Sequence, residues 1–280
     1  MKNVAILGLG VMGHGIADNF LKAGYSVAVW NRSPEKADDL VARGAQRAES
    51  VAQAVEGADL VFEVTANDES ARKVWLGKDG IVARATPDQA LITCATLSVE
   101  CVDELARVCR EKSLVFFDMP MTGSRAGAEN GTLVLMAGGD RAKLQELAPD
   151  LQAISSRVKH FGPAGHGMRF KLVLNALQAI HMTGFGEAMR LAKAMGLDEK
   201  LTGNALAERP GGTTSLLTWQ GYQHQPEEAN FSVEWIAKDN QYALKGVAPE
   251  LLPVFRSALA YYEKAIAEGH AHDDWTYVAR

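Results

Sequence analysis

The chain has 280 residues, 47% of them hydrophobic and 22% charged, a balance that fits a globular protein of two ordinary domains and excludes a disordered one. The formal net charge is −5 and no block of lysine or arginine stands out, so we expect the protein to bind neither nucleic acid nor a membrane surface.

The first 162 residues alternate apolar strand-like runs with helical patterns that are too long for hairpins. Such alternation requires crossover connections and a mostly parallel sheet, and right-handed crossovers make it a doubly wound α/β Rossmann fold. The predicted strands are Val4–Leu7, Ser26–Trp30, Leu60–Val64, Ala90–Thr93, Leu114–Asp118, Thr132–Ala137 and Arg157–Phe161. The predicted helices between the early strands are Val11–Lys22, Pro34–Ala42 and Val99–Arg110.

After Phe161-Gly162-Pro163-Ala164-Gly165 the pattern becomes helical. Residues 169–195 read as one long helix, in which Gly184 and Gly186 either allow close helix packing or mark a break. Further predicted helices are Glu199–Ala207, Val233–Val247 and Leu251–Glu268, with breaks at Pro210-Gly211-Gly212 and Gln225-Pro226. We therefore expect a Rossmann domain over residues 1–162 and an all-α domain over residues 163–280.

The motif Gly8-Leu9-Gly10-Val11-Met12-Gly13 follows the first predicted strand and opens a helix. In this context the first glycine permits a tight turn, the second lets the backbone approach a pyrophosphate, and the third allows close helix–strand packing. The helix N-terminus favours the negative charge of the phosphates. The motif predicts a dinucleotide site; the alternative is a glycine-rich turn without a ligand.

The end of the second strand indicates which dinucleotide binds. Sites selective for NAD usually carry Asp or Glu there, whereas this chain has Asn31-Arg32-Ser33. Arg32 offers a charge-assisted contact to a 2′-phosphate, and the side chains beside it can add hydrogen bonds. The sequence therefore predicts NADP(H) as the cofactor. The alternative is a surface arginine before a helix that Ser33 caps.

Four motifs in order along nearly the whole chain resemble the β-hydroxyacid dehydrogenases, relatives of 3-hydroxyisobutyrate dehydrogenase and of the glyoxylate and succinic-semialdehyde reductases. The glycine turn with Ala17-Asp18-Asn19-Phe20-Leu21-Lys22-Ala23-Gly24 resembles their N-terminal signature. The three later motifs are Asp118-Met119-Pro120-Met121-Thr122-Gly123-Ser124, then Gly162-Pro163-Ala164-Gly165-His166-Gly167 leading to Lys171-Leu172-Val173-Leu174-Asn175, and finally Lys238-Asp239.

Lys171 and Asn175 are the candidate catalytic residues. Hydride addition to a carbonyl places negative charge on its oxygen, which needs a proton donor that works as the base in reverse. A desolvated cleft can lower the pKa of a lysine from its ordinary value of about 10.4 toward neutrality. Asn175, one helical turn on, can hold the substrate hydroxyl or orient the lysine. A surface lysine on an amphipathic helix is the alternative, and the resemblance favours catalysis.

The candidate substrate loop is Thr122-Gly123-Ser124, after a strand that ends at Asp118. Ligands of α/β sheets lie at such strand ends, and a hydroxyl with accessible N–H groups suits a carboxylate. By itself the sequence also fits an ordinary turn. Thr122 replaces the family's usual serine, and Ser124 replaces a glycine. Arg125 either holds an acid group, as in the glyoxylate and succinic-semialdehyde branch, or is merely solvated.

The resemblance assigns further residues to the nicotinamide end of the site. Lys238 matches a family lysine near nicotinamide and substrate. The alternative interpretation is that Lys238 is a solvated lysine on a helix surface. Thr96 matches the threonine near the nicotinamide ribose. Thr65-Ala66 follows the third predicted strand and is expected to border the cofactor through its backbone.

Together these features predict an NADP(H)-dependent oxidoreductase. It would interconvert a small carboxylate-bearing semialdehyde or oxo acid and its hydroxy acid, with Lys171 as general acid and base. The alternatives are an NADPH-dependent imine reductase, whose members generally lack the lysine, and a non-catalytic NADPH-binding module on the same scaffold. The resemblance also implies a homodimer or homotetramer assembled through the helical domain.

Cysteine usage and the N-terminal sequence indicate the compartment. Cys94, Cys101 and Cys109 are an odd, sparse set without metal-type pairing, which disfavours both structural disulfides and a metal site. The first predicted strand follows Met1-Lys2-Asn3 directly, without the pattern of a secretory signal, and no apolar run approaches membrane-spanning length. We expect a cytoplasmic protein without a bound metal.

Overall fold

A computed structural model describes residues 2–208 and 212–280. The chain divides into two compact units, residues 1–171 and 172–280. This division falls inside a long helix rather than at the predicted domain boundary near residue 162. Two residues of the predicted break Pro210-Gly211-Gly212 lie outside the described residues.

One nine-stranded sheet forms the centre of the first unit. Its strands are β1 Asn3–Leu7, β2 Ser26–Trp30, β3 Gln46–Arg47, β4 Leu60–Glu63, β5 Ala90–Thr93, β6 Val115–Asp118, β7 Met121–Thr122, β8 Leu133–Gly138 and β9 Ser155–Gly162. They lie in the order β3-β2-β1-β4-β5-β6-β8-β7, with β9 paired to β8. All pairs are parallel except those that β8 makes with β6 and β7. The predicted Rossmann fold is confirmed.

Helices cover the sheet on both faces. In the first unit they are α1 Val11–Lys22, α2 Asp38–Ala42, α3 Val51–Val55, α4 Asp68–Leu76, α5 Ile81–Arg84, α6 Val99–Glu111, α7 Ser124–Glu129 and α8 Arg141–Leu151. Strand β1 shows why both faces need cover, since Val4 and Ile6 enter one apolar core while Ala5 and Leu7 enter the other. A strand that is apolar on both sides is typical of a buried parallel sheet.

The second unit consists of helices in its described part. Helix α9 His166–Ala194 begins in the first unit and continues into the second, followed by α10 Glu199–Glu208, α11 Thr213–Gln223, α12 Val233–Leu244 and α13 Pro253–Ala267. Two short 3₁₀ helices, Pro249–Leu251 and Trp275–Ala279, complete it. Its core is apolar, with Met182 of α9, Ile236 of α12 and Tyr262 of α13 among its members. Within the described ranges, no helix has the length and apolar character needed to cross a membrane.

The seven predicted strands are present, each within two residues of its predicted bounds, whereas the two-residue strands β3 and β7 were not predicted. The predicted helix Pro34–Ala42 divides into a 3₁₀ turn, Pro34–Ala37, followed by α2. Helices α3, α5 and α7 were missed because four to six residues are too few to show a helical period. Helix α4 was missed although Asn67 and Ser70 form a capping box at its start.

The two glycines inside α9 have different surroundings. A Cβ on Gly186 would lie 2.6 Å from backbone atoms of Ala279, so this glycine permits close packing within the second unit. Gly184 has no heavy atom of the described residues within 4 Å of such a Cβ. Helix α9 continues through both positions without a break.

We predict opposite effects of alanine at these two positions. Gly184→Ala should raise the free energy of unfolding by about 0.5–1 kcal/mol, because alanine has the higher helix propensity and nothing obstructs its methyl group. Gly186→Ala should lower it by roughly 1–3 kcal/mol, because the methyl group displaces the chain at Ala279. Urea unfolding of both variants measures the difference, and stabilisation by both would contradict the packing role of Gly186.

Candidate active site

The glycine turn joins β1 to α1 at the carboxyl edge of the sheet. Gly8 has φ +109°, a conformation that favours glycine, and a Cβ there would lie 2.5 Å from the carbonyl oxygen of Val64. A Cβ on Gly13 would overlap the carbonyl oxygen of Gly8. Gly10 begins α1 without a capping side chain, and a Cβ there would meet no described atom within 4 Å. Only the second glycine therefore leaves open space above the turn.

These surroundings fit a dinucleotide. The first-turn N–H groups of α1 have no partners within the helix, and the helix N-terminus attracts phosphate. Beside the turn, the hydroxyl of Thr65 is buried and makes no hydrogen bond to a described residue. Such an orphaned polar atom is costly unless a ligand or water completes it. Residues 8–13 would hold the pyrophosphate, with Thr65 at its side.

The three residues after β2 have distinct environments. The side-chain oxygen of Asn31 accepts the Leu9 N–H at 2.9 Å, and its Nδ2 donates to the Ser33 carbonyl at 3.0 Å. Asn31 thus ties the glycine turn to the end of β2. Ser33 precedes the 3₁₀ turn but its side chain does not cap it.

Arg32 is exposed, and its charge acts on the start of α4. The pKa of Glu69 is lowered chiefly by its hydrogen bond and charge interaction with Lys73, and to a smaller extent by the charge of Arg32. Of residues 31–33, Asn31 is used within the fold, whereas the Arg32 side chain is exposed and the Ser33 side chain does not cap the turn that follows it.

The neighbouring strand ends carry a row of polar side chains, of which only Asp118 was part of a predicted motif. Glu63, Thr93 and Asp118 occupy matching positions at the ends of β4, β5 and β6, and all three are fully buried. Glu63 accepts hydrogen bonds from the Thr65 N–H and the Thr93 hydroxyl, both at 2.6 Å. The sequence feature that could have indicated Glu63 is an acidic residue at the end of an otherwise apolar strand.

The predicted nicotinamide-side residues lie just beyond these strand ends. Thr96 follows β5 and is partly buried, and Ala66 follows β4 and is exposed. Both belong to the first unit, at the same edge of the sheet as the glycine turn.

Asp118 joins the end of β6 to the start of α9. Its Oδ1 accepts the Gly165 N–H and its Oδ2 the Met168 N–H, both at 2.6 Å. Burial raises the pKa of Asp118 to about 6, and the two N–H bonds oppose that rise. The carboxylate therefore caps the helix that carries Lys171, three residues beyond Met168. Lys171 itself is buried, with 8% of its surface exposed.

The predicted substrate loop begins at Thr122, four residues after Asp118. Thr122 ends β7 and is partly buried, while Gly123 and Ser124 both have positive φ, +131° and +55°. Arg125, in the first turn of α7, is partly buried. A positive φ is uncommon for a residue that carries a side chain, so Ser124 holds a strained backbone conformation at the start of α7.

Helix α7 holds this loop against the helix of the glycine turn. A Cβ on Gly15 would lie 2.7 Å from the Ala128 carbonyl oxygen, and Asn19 of α1 donates to that oxygen at 2.6 Å. The first unit therefore brings the glycine turn and the loop together through α1 and α7.

Asn175, Lys238 and Asp239 form a cluster in the second unit, in which Asn175 and Asp239 are buried and Lys238 is partly buried. Asn175 donates to Asp239 Oδ2 at 2.7 Å, and Lys238 Nζ lies 3.0 Å from Asp239 Oδ1. Asn175 and Asp239 are each 1% exposed. The Asn175 amide, which we expect to hold substrate or orient the lysine, is held in place by its bond to Asp239. Asp239 was not predicted as a site residue, although the sequence motif Lys238-Asp239 contains it. In the described ranges, no three His, Cys, Asp or Glu side chains cluster as a metal site.

Fold and glycine turn together define a Rossmann protein that binds a nicotinamide dinucleotide. A family model described as the NAD-binding domain of 6-phosphogluconate dehydrogenase matches residues 3–162. A second, described as the NAD-binding domain of NADP-dependent 3-hydroxyisobutyrate dehydrogenase, matches residues 165–280. The chain belongs to the β-hydroxyacid dehydrogenase family, as its motifs predicted, and is an oxidoreductase of that family.

Individual relatives are similar to this chain over most of their lengths. The chain is 32% identical to an NAD-dependent L-serine dehydrogenase of Pseudomonas aeruginosa, over 100% of this chain and 97% of the relative. It is 33% identical to a 3-hydroxyisobutyrate dehydrogenase of the same organism, over 87% and 85%. A solved 3-hydroxyisobutyrate dehydrogenase of Mycobacterium tuberculosis with L-serine superimposes with a TM-score of 0.89 at 27% identity, covering 100% of this chain and 98% of that one.

Asp118 gives a pH prediction. Its pKa is raised from the ordinary 3.8 to about 6 in the folded protein, so between about pH 6 and pH 4 the folded state binds a proton that the unfolded state lacks. The contribution of Asp118 to stability therefore grows as pH falls through that window and is constant above it.

Asp118→Asn removes this titration. We expect the free energy of unfolding of the wild type, relative to the variant, to increase by roughly 2–3 kcal/mol between pH 7 and pH 4. Urea denaturation at both pH values measures it. A relative stability that falls on acidification would contradict the assignment.

Proposed function

We propose that the protein is an NADP(H)-dependent oxidoreductase that interconverts a small semialdehyde or oxo acid and its hydroxy acid. The observation that carries this proposal is the placement of Lys171. The lysine is buried in α9, and the carboxylate that caps α9 also closes the strand leading into Thr122-Gly123-Ser124. One buried group thus fixes the start of both the candidate catalytic helix and the candidate substrate loop.

In the proposed reaction each side chain has a separate task. The bound nicotinamide supplies or accepts the hydride. Lys171 gives the carbonyl oxygen a proton during reduction and takes it back from the hydroxyl during oxidation, as general acid and base. Thr122 and the backbone of Gly123 and Ser124 bind the substrate carboxylate, and Arg125 adds a positive charge for it.

The cluster in the second unit supports this chemistry. Asp239 fixes the amide of Asn175 by accepting a hydrogen bond from its NH₂ group, and the amide oxygen can then accept a hydrogen bond from a substrate hydroxyl. Lys238, whose Nζ lies 3.0 Å from Asp239 Oδ1, is proposed as a residue that binds nicotinamide or substrate.

The proposed preference for NADP(H) rests on Arg32. No carboxylate stands among residues 31–33 to bind a ribose 2′-hydroxyl or repel a 2′-phosphate. The side chain of Arg32 is exposed beside the dinucleotide turn, whereas Asn31 is used within the fold. A guanidinium binds phosphate through two parallel hydrogen bonds, which favours the phosphorylated cofactor.

Lys171 separates this proposal from an imine reductase or a non-catalytic binding module, because neither needs a proton-exchanging lysine there. A cytoplasmic location and assembly into a homodimer or homotetramer through the helical unit complete the proposal. Three large apolar side chains of α9 are exposed, namely Val173, Leu177 and Leu191, as is Met195 directly after the helix. A second copy of the chain is the partner we propose for them.

The function is tested with a substrate panel and two cofactors. We expect semialdehydes, 2-oxo acids or β-hydroxy acids, L-serine and 3-hydroxyisobutyrate included, to change nicotinamide absorbance with a higher kcat/KM for the phosphorylated cofactor. Arg32→Ala should lower kcat/KM with NADPH about 10-fold or more and leave NADH nearly unchanged. Lys78→Ala removes an exposed charge of the same unit and serves as control. A wild-type preference for NADH, or turnover of cyclic imines alone, would refute the proposal.

We predict that Lys171→Ala lowers kcat by about 10²–10⁴-fold while NADPH binding, followed by its fluorescence, is retained. Lys171→Arg should be nearly as inactive, because an arginine does not exchange its proton near neutral pH. Lys193→Ala, an exposed lysine of the same helix, is the matched control. Near wild-type turnover by the alanine variant would remove Lys171 from the mechanism.

A further inference from the structure

Glu63 is a buried acidic group that the proposed reaction does not use. It closes β4, is fully buried, and makes no ion pair with a Lys, Arg or His of the described residues. Instead, three neutral donors surround it. Its Oε1 accepts the Thr65 N–H at 2.6 Å, and its Oε2 accepts the Thr93 hydroxyl at 2.6 Å and the Trp75 indole N–H at 3.2 Å. A backbone N–H and an indole N–H can only donate hydrogen bonds, so these three donors suit an ionised carboxylate, which only accepts them.

The strand order places Glu63 under the nicotinamide half of the cofactor. A dinucleotide lies across the carboxyl ends of the strands, with its pyrophosphate at the glycine turn after β1. Arg32, after β2, marks the side of the adenosine ribose. The other half of the cofactor must then extend over the opposite neighbours of β1, which are β4 and β5. Glu63 and Thr93 close these two strands.

The negative charge of Glu63 affects neighbouring groups at the same edge of the sheet. Burial raises the pKa of Cys94, at the end of β5, and the negative charge of Glu63 raises it further. The oxidised nicotinamide ring carries a positive charge and the reduced ring none. A buried negative charge in a site with few mobile solvent dipoles stabilises the charged ring more than the neutral one.

We propose that Glu63 is a positioning residue with an electrostatic role: it fixes the Thr65 turn and makes the site bind oxidised cofactor more favourably, relative to reduced cofactor, than a neutral residue would. The proposal depends only on nicotinamide dinucleotide binding, so it stands independently of the preference for NADP(H) and of the substrate. It makes the bound reduced cofactor a stronger hydride donor, and so biases the equilibrium on the enzyme toward reduction of the oxo acid to the hydroxy acid.

The test must remove the charge without leaving an unmatched hydrogen bond. In Glu63→Gln, the amide oxygen can accept the Thr65 N–H while its NH₂ donates to the Thr93 oxygen, but that NH₂ then faces the Trp75 indole N–H. Trp75→Phe removes the conflicting donor. The matched pair is therefore W75F, which keeps the charge, and E63Q/W75F, which lacks it; the single variant E63Q is a second charge-free protein.

Dissociation constants are measured for NADPH by its fluorescence and for NADP⁺ by displacement of NADPH, and likewise for NADH and NAD⁺. From W75F to E63Q/W75F we expect the ratio of the oxidised to the reduced dissociation constant to rise about 3- to 10-fold, with either cofactor pair. W75F alone should keep the wild-type ratio.

Equal weakening of both cofactor forms would show a purely structural role and overturn the proposal. Failure of both charge-free variants to fold, seen by circular dichroism and thermal melting, would assign Glu63 to folding and also overturn it. If the ratio of the oxidised to the reduced dissociation constant is unchanged or falls in a folded charge-free variant, the proposal is likewise overturned.

Discussion

The two hydrogen bonds that Asp118 accepts from Gly165 and Met168 determine where the candidate chemistry can occur. The carboxylate ends β6, and it satisfies backbone N–H groups at the start of α9 that no helical carbonyl can reach. Glycines make this junction possible, because a Cβ on Gly138 would overlap the Asp118 carboxylate and one on Gly167 would overlap the Met136 carbonyl oxygen. Strand, loop and helix therefore keep one relative position within the first unit.

Glu63 and Asp118 show how one sheet edge tolerates two buried carboxylates. Removing a carboxylate from water is costly, and hydrogen bonds to both oxygens offset that cost. Asp118 receives them from a helix start, whereas Glu63 receives them from a turn, an indole and a hydroxyl. The two carboxylates stand in one row with Thr93 between them. Polar groups are concentrated where ligands of parallel sheets bind, while the strand interiors remain apolar.

The residues after β2 show how structure separates side chains that the sequence groups together. Asn31, Arg32 and Ser33 are equally plausible phosphate ligands as a string of letters. In the fold, Asn31 is held by Leu9 and Ser33, and Arg32 is exposed. Because its side chain is bonded to the Leu9 N–H, substitution of Asn31 would disturb the glycine turn for any dinucleotide. The same distinction applies to Asn175, whose amide is fixed by Asp239.

The sequence by itself determined the strand–helix alternation, the glycine turn and the family, because these depend on local periodicity and on residues adjacent in the chain. Seven strands and the long helix α9 follow from such patterns. Only the tertiary structure decided which polar groups meet. Glu63 meets the Thr93 hydroxyl, Asp118 the Met168 backbone N–H, and Asn175 the Asp239 carboxylate, and these partners are 30, 50 and 64 residues apart. Such pairs are set by strand register and helix packing, which arise from burial of the whole apolar surface and leave no trace in any short window of sequence.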